Sequence, residues 1–193
     1  MVIGSHNSWS YLRPRKWWMR LIAFAARCQL TDIMNQYLMY DVRCFDLRVR
    51  FDEGKVIVAH GIVEYQYGII GLERDLKWLN EKGDCYVRVI HEVRTERQRE
   101  RSTVIAFRDF CHKLEEDYPH IQFWCGRNLY DWTYDYKFQN DEPTCEETYG
   151  SVSDDKCLYG WLPLLFAWLN NGYILLMGSD KDILLMDYVD IQD

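Results

Sequence analysis

The sequence predicts an α/β domain with a mainly parallel sheet and helical crossovers. Three observations carry that prediction. Short β-branched or aromatic runs end in turn residues, stretches with helical spacing of apolar side chains lie between them, and the two kinds alternate along the chain. The expected strands cover residues 2–5, 42–49, 55–59, 85–92, 121–125, 131–138, 173–177 and 183–188, and the expected helices residues 17–39, 70–81, 98–117 and 161–170. Val2-Ile3 opens the first strand, Phe45 to Val49 and Val56-Ile57-Val58 carry the next two, and Val87 to Ile90 and Phe123-Trp124 the following pair. Tyr173 to Met177 and Ile183 to Tyr188, joined by Gly178-Ser179-Asp180-Lys181-Asp182, read by spacing as a hairpin. Residues 139–157, with Asp141-Glu142-Pro143 and Ser153-Asp154-Asp155, read as a long solvated loop.

At 193 residues the chain is long enough for one substantial core, and residues 1–193 are expected to form a single domain. There is no internal repeat, and the 4 prolines are too dispersed to mark a linker. The net charge of -7 argues against nucleic acid as a bulk electrostatic partner. No run approaches the roughly 18 apolar residues of a membrane span. The start lacks the pattern of a secretion signal, so the chain is expected to be intracellular, or a mature form without its leader. The 7 cysteines (Cys28, Cys44, Cys85, Cys111, Cys125, Cys145 and Cys157) have no CxxC spacing, which points away from a zinc site or a disulfide framework and towards a reducing compartment.

Three separated segments read as parts of one site: Gly4-Ser5-His6-Asn7-Ser8, Phe45-Asp46-Leu47-Arg48 and Ala59-His60-Gly61. They place two imidazoles and a guanidinium at strand ends. Cleaving a phosphodiester by an internal hydroxyl needs a base, a cation on the phosphate and an acid for the leaving oxygen, and histidine suits both proton roles. Order and wording resemble the X-domain of phosphatidylinositol-specific phospholipase C. The resemblance is close over residues 2–61, weaker around 84–96, and returns at Ile183-Leu184-Leu185-Met186-Asp187-Tyr188; little of it shows between 97 and 180.

That resemblance implies a compact or distorted TIM-type (β/α) barrel. A complete barrel usually needs roughly 200 residues or more, so this one would be trimmed. It assigns His6 as base, oriented by Asp187, His60 as acid and Arg48 as the phosphate-binding cation. Arg48 is the arginine of the bacterial members, where calcium-dependent members carry an acidic residue. The implied chemistry is therefore metal-independent, with no cofactor and calcium disfavoured. Asn7 departs from the bacterial aspartate and removes a partner expected to raise the pKa of His60; Asp46, on the same strand face as Arg48, could take that place. Glu92 falls where the family has a substrate-facing charge, Asn7 counts with it as substrate-binding, and Arg127, Asp135 and Tyr136 are candidate contacts for inositol hydroxyls. The implied products are diacylglycerol and cyclic inositol phosphate. Alternatives are a phosphodiesterase for another lipid headgroup and a non-catalytic lipid-binding module of the same fold.

Arg13-Pro14-Arg15-Lys16-Trp17-Trp18-Met19-Arg20 combines basic residues with adjacent tryptophans and reads as a peripheral membrane contact made by Trp17, Trp18, Arg15 and Lys16. The competing reading buries Trp17 and Trp18 as a helix face. His91, His112 and His120 read as structural, Arg43 as a brace for the barrel, and Asp187, without the resemblance, as a loop cap.

Overall fold

A computed structural model describes residues 1–66, 69–128, 136–147 and 162–191. The strands are β1 (Val2–Ser5), β2 (Cys44–Asp52), β3 (Lys55–His60), β4 (Val63–Glu64), β5 (Tyr86–His91), β6 (Gln122–Asn128), β7 (Cys145–Glu147) and β8 (Ile183–Met186). The α-helices are α1 (Ile33–Tyr40), α2 (Ile69–Lys82), α3 (Glu96–Arg101), α4 (Val104–Asp117) and α5 (Pro163–Met177). Parallel pairing runs β7-β8-β1-β2-β5-β6, and the far end of β2 continues into an antiparallel hairpin with β3 and β4. Among the described residues β6 and β7 do not pair. Over the described residues the result is a curled, incompletely closed α/β barrel.

The period of two along β2 divides the molecule. Phe45, Leu47, Val49 and Phe51 point outward into a core shared with Leu72, Leu76 and Leu79 of α2 and Phe107, Cys111 and Leu114 of α4. Removing one such buried leucine to alanine costs about 2–5 kcal/mol. The alternate residues face the barrel interior. At its floor lies an apolar layer of Cys44, Trp124, Ile183 and Leu185. Above it sits a charged layer of Asp46, Arg48, Arg50 and Arg88, all buried. Gly4 lets β1 fit between its neighbours, because a Cβ there would lie 2.5 Å from Leu185 Cδ2 and 3.1 Å from Cys44 Cβ.

Five expectations require correction. The expected helix over residues 98–117 is two, α3 and α4, parted at Ser102 and Thr103, where Thr103 Oγ1 caps α4 by accepting from Ala106 N. Residues 17–39 do not form one helix: two 3₁₀ turns, Trp17–Leu21 and Ala23–Ala25, precede an irregular stretch before α1. In that stretch Ser10 Oγ accepts from Cys28 N and Gln29 N, both at 2.9 Å, so those amides are committed elsewhere than to a helix. Residues 173–177 end α5, which starts with Pro163 in its first turn and stops at Gly178 (φ 68°); there is no hairpin, and β8 pairs in parallel with β1 and β7. The stretch read as a solvated loop contains β7, while its residues 148–157 lie outside the described residues. Of the expected strand 131–138, residues 131–135 lie outside the described residues and 136–138 are not strand.

Candidate active site

The turn after β1 explains why its residues are Gly, Ser, His, Asn and Ser. Asn7 takes a left-handed backbone (φ 45°), which asparagine tolerates better than most residues. Ser8 Oγ donates to Ser5 O at 2.8 Å and accepts from Asp46 N at 2.8 Å, while Ser8 N donates to Asp46 O at 3.0 Å. The turn is thus stitched to β2, and His6 is held over the barrel mouth. Gln29 Nε2 ties the same turn to the last strand, donating to His6 O at 3.1 Å and Met186 O at 2.8 Å.

His6 Nδ1 donates to Asp187 Oδ1 at 2.8 Å, and His6 Nε2 accepts from Arg48 Nη2 at 2.8 Å. This pairing fixes the tautomer whose Nε2 lone pair faces the mouth. Asp187 is itself held through its backbone, since Asn171 Nδ2 donates to Asp187 O at 2.9 Å and to Tyr188 O at 3.1 Å. The His60 ring lies across the mouth, its centroid 5.6 Å from that of His6 and the planes at 86°. His6, Arg48, His60 and Asp187, far apart in sequence, therefore share one place.

Arg48 is held on several sides. Its Nε donates to Asp46 Oδ2 at 2.7 Å, Nη1 lies 3.6 Å from Glu92 Oε2, and Nη2 lies 3.8 Å from Glu147 Oε2. Burial pushes the Asp46 carboxyl up, but Arg48, then Arg88 and His6, outweigh it and hold it well below the usual range. Glu147 behaves alike: burial raises it, while Arg88, His6 and Arg48 bring it down to about 2. His6 and Arg48 are each 1% exposed, so a ligand must part the Arg48–His6 contact to reach either.

His60 has a different neighbourhood. Its Nδ1 faces Ala26 O at 2.9 Å, a carbonyl that also accepts from Tyr65 Oη at 3.0 Å and Asn7 Nδ2 at 3.2 Å. Burial first, then the nearby Arg48 cation, lower the His60 pKa to about 4. Asp46 is not its partner, contrary to expectation, because Asp46 Oδ2 is taken by Arg48 and by Asn7 N at 3.0 Å. The turn after His60 is braced by Gly61 N donating to Glu92 Oε1 at 2.8 Å and by Arg50, which donates to Gly61 O.

The expected substrate contacts divide. Glu92 is at the site, but its carboxylate carries Gly61 N, Arg94 Nε at 2.9 Å and the Arg48 charge; it serves as scaffold. Tyr136 turns away, its hydroxyl donating to Glu115 Oε2 on α4 at 2.6 Å. Arg127 pairs with Glu142. Asp135 lies outside the described residues. His91 is structural: its ring stacks on Phe107 at 4.6 Å and bonds Ser102 Oγ at 2.7 Å, and burial and Arg50 lower its pKa to about 4. Arg43 braces the opposite end of the barrel through Asp41 at 2.7 Å and Asp84 at 3.2 Å.

Trp17 and Trp18 are 75% and 40% exposed, which overturns the reading that buries them; only Met19 of their turn is buried. Arg15 N donates to Glu64 O at 2.7 Å, and Pro14 bridges Tyr65, so this segment lies beside the strand that follows the His60 turn. Sequence reasoning missed Arg88 and Glu147, which pair with each other beneath Arg48. Arg88 had a findable signal, since it stands opposite Asp46 in the β2–β5 register. A separate cavity of about 410 Å³ lies on the outer side of the sheet between α2 and α4, lined by Phe51, Leu72, Leu76, Phe110 and Tyr118 among others, and includes none of the residues at the mouth.

No family model and no curated protein matches the chain. Solved structures do. A point mutant of the phosphatidylinositol-specific phospholipase C from Staphylococcus aureus superposes with a TM-score of 0.63 at 15% identity, over 97% of this chain and 84% of that one. A second structure of the S. aureus enzyme, described for its membrane binding, gives 0.60 at 14% identity, over 97% and 85%. The phosphatidylinositol-specific phospholipase C from Listeria monocytogenes gives 0.52 at 14% identity, over 95% and 71%. The chain thus has the distorted α/β barrel fold of these bacterial enzymes.

Proposed function

We propose that this chain cleaves phosphatidylinositol-type lipids at a membrane surface by acid–base catalysis, releasing diacylglycerol and cyclic inositol phosphate. The observation that carries the reading is the pair of imidazoles 5.6 Å apart with the Arg48 guanidinium on one of them. His6 Nε2 takes the proton of the inositol 2-hydroxyl as its oxygen attacks phosphorus. Asp187 stabilises the imidazolium that forms. The phosphate displaces His6 from Arg48 Nη2, and the guanidinium carries the charge that develops on the phosphoryl oxygens. His60 protonates the diacylglycerol oxygen as it leaves; the phosphate's negative charge beside it favours the protonated ring that the free protein disfavours. No metal is assigned a role.

The exposed Trp17, Trp18, Leu21 and Phe24, flanked by Arg13, Arg15, Lys16 and Arg20, support docking on an anionic bilayer. Vesicles of radiolabelled phosphatidylinositol, incubated with the protein and a chelator, are expected to release water-soluble cyclic phosphate; no release sinks the reading. A second reading, a phosphodiesterase for another lipid headgroup, is favoured by Tyr136 facing α4 rather than the mouth. Cleavage of another phospholipid in the same assay, with phosphatidylinositol left intact, selects it.

A further inference from the structure

Behind His6, on the side away from Arg48, the structure gathers a second set of groups that the reaction does not use as a set. His6, Cys28 and Asp187 each offer a ligand atom, all within 4.8 Å of one another, and all three residues are buried. The Cys28 thiol also hydrogen-bonds the Asp187 carboxylate, so nitrogen, sulfur and oxygen already face one another. Cys28 Sγ also lies 4.0 Å from His60 Nδ1, which stands next in line as a fourth ligand.

We infer that this nitrogen, sulfur and oxygen set is an inhibitory site for a soft divalent cation of the zinc type. Ligand atoms on a four-coordinate zinc lie roughly 3.3–3.8 Å apart, by tetrahedral geometry with bonds of about 2.0–2.3 Å. Small side-chain shifts bring the present set within that range. A thiolate and a carboxylate together neutralise the charge of the ion, which suits a buried site. Calcium and magnesium are excluded as occupants by the thiol and imidazole, which these hard cations do not favour.

The proton accounting explains the inhibition. On binding, the Cys28 thiol gives its proton to solvent and becomes a ligand. His6 Nδ1 leaves its hydrogen bond to Asp187 and coordinates the ion, so the proton of the neutral ring now resides on Nε2. That nitrogen then has no lone pair for a substrate hydroxyl, and Arg48, a donor, must turn away from it. This part of the inference rests on the lipid-cleavage reading; the binding itself does not.

The test titrates the full chain with cobalt(II), a spectroscopic stand-in for zinc, and separately measures lipid cleavage with added zinc. A thiolate-to-cobalt charge-transfer band in the near ultraviolet, with intensified visible bands of tetrahedral cobalt, is expected from the unmodified protein. Both should be lost in Cys28→Ser. Zinc should inhibit cleavage, and its half-inhibiting concentration, read against each protein's own metal-free rate, should rise about tenfold or more in Cys28→Ser. Should that variant fail to fold, Asp187→Asn provides a second binding readout, with the same loss of bands expected. No bands from the unmodified protein, or bands that persist in the variants and so belong to other cysteines, overturn the site. Bands present in a protein that cleaves no lipid uphold the site and sink the reaction instead.

Discussion

The two sides of the barrel mouth treat the same residue type in opposite ways. On one side His6 has a carboxylate on Nδ1 at 2.8 Å and a guanidinium on Nε2 at 2.8 Å. On the other, His60 has a backbone carbonyl at 2.9 Å and a pKa lowered to about 4 by burial and Arg48. A carboxylate partner equips an imidazole to accept and hold a proton, whereas a neutral carbonyl in a low-dielectric place leaves it reluctant to hold one. The difference teaches that, for the proposed reaction, the His60 side is the less finished half of the site. In that proposal the charge of the substrate loads its proton.

Predictions follow from disturbing either side. Arg48→Lys should lower turnover by about 10²–10³-fold, because an ammonium cannot hold Asp46, Glu92 and the phosphate in one plane; turnover within a factor of about three of the unmodified protein would remove Arg48 from the reaction. On the acid side, Asn7→Asp puts a carboxylate beside the Ala26 carbonyl that His60 shares with the position 7 side chain. His60 should then stay protonated to higher pH, and the falling limb of the pH–rate profile should move up by about one unit. A limb that stays in place or moves down would show that His60 is not the acid.

A further effect, independent of turnover, is on stability. His91 is buried with its pKa lowered from 6.5 to about 4, so the unfolded chain binds a proton there between those values and the folded chain does not. Its contribution is fully present above about pH 6.5 and is lost as pH falls towards 4, where the loss reaches about 3 kcal/mol. His60 adds to the same window with the same sign. Glu147, with its pKa lowered to about 2, adds a further loss only as pH falls below about 4.5. Denaturant unfolding from pH 7 to 4.5 should therefore show stability falling well before the carboxylates titrate, and a flat profile there would contradict the burial of these rings.

The same contrast governs what could be read from the chain before it folded. β1, β2, β5 and β8 were legible from β-branched and large apolar residues, alternating with charges along β2; the motifs after β1 and β8 fixed where His6 and Asp187 would emerge, while Arg48, expected near a strand end, lies in the middle of the longer β2. α5 was misread at its end because Tyr173-Ile174-Leu175 has strand composition, and the capping by Gly178 outweighed local propensity. β7 was invisible, being three residues, Cys145–Glu147, in an acidic stretch. The supports of the site were equally hidden. Gln29 and the Ala26 carbonyl act through single hydrogen bonds across the fold, for which a sequence leaves no periodic trace.

The central claim is that His6 and His60 act on one phosphate, and a double-mutant cycle on lipid cleavage tests it directly. Formation of cyclic phosphate from phosphatidylinositol should fall about 10²–10⁴-fold in His6→Ala and in His60→Ala, with the double variant little slower than the worse single one. An unmodified protein without turnover, or two single losses that simply multiply in the double variant, would contradict it.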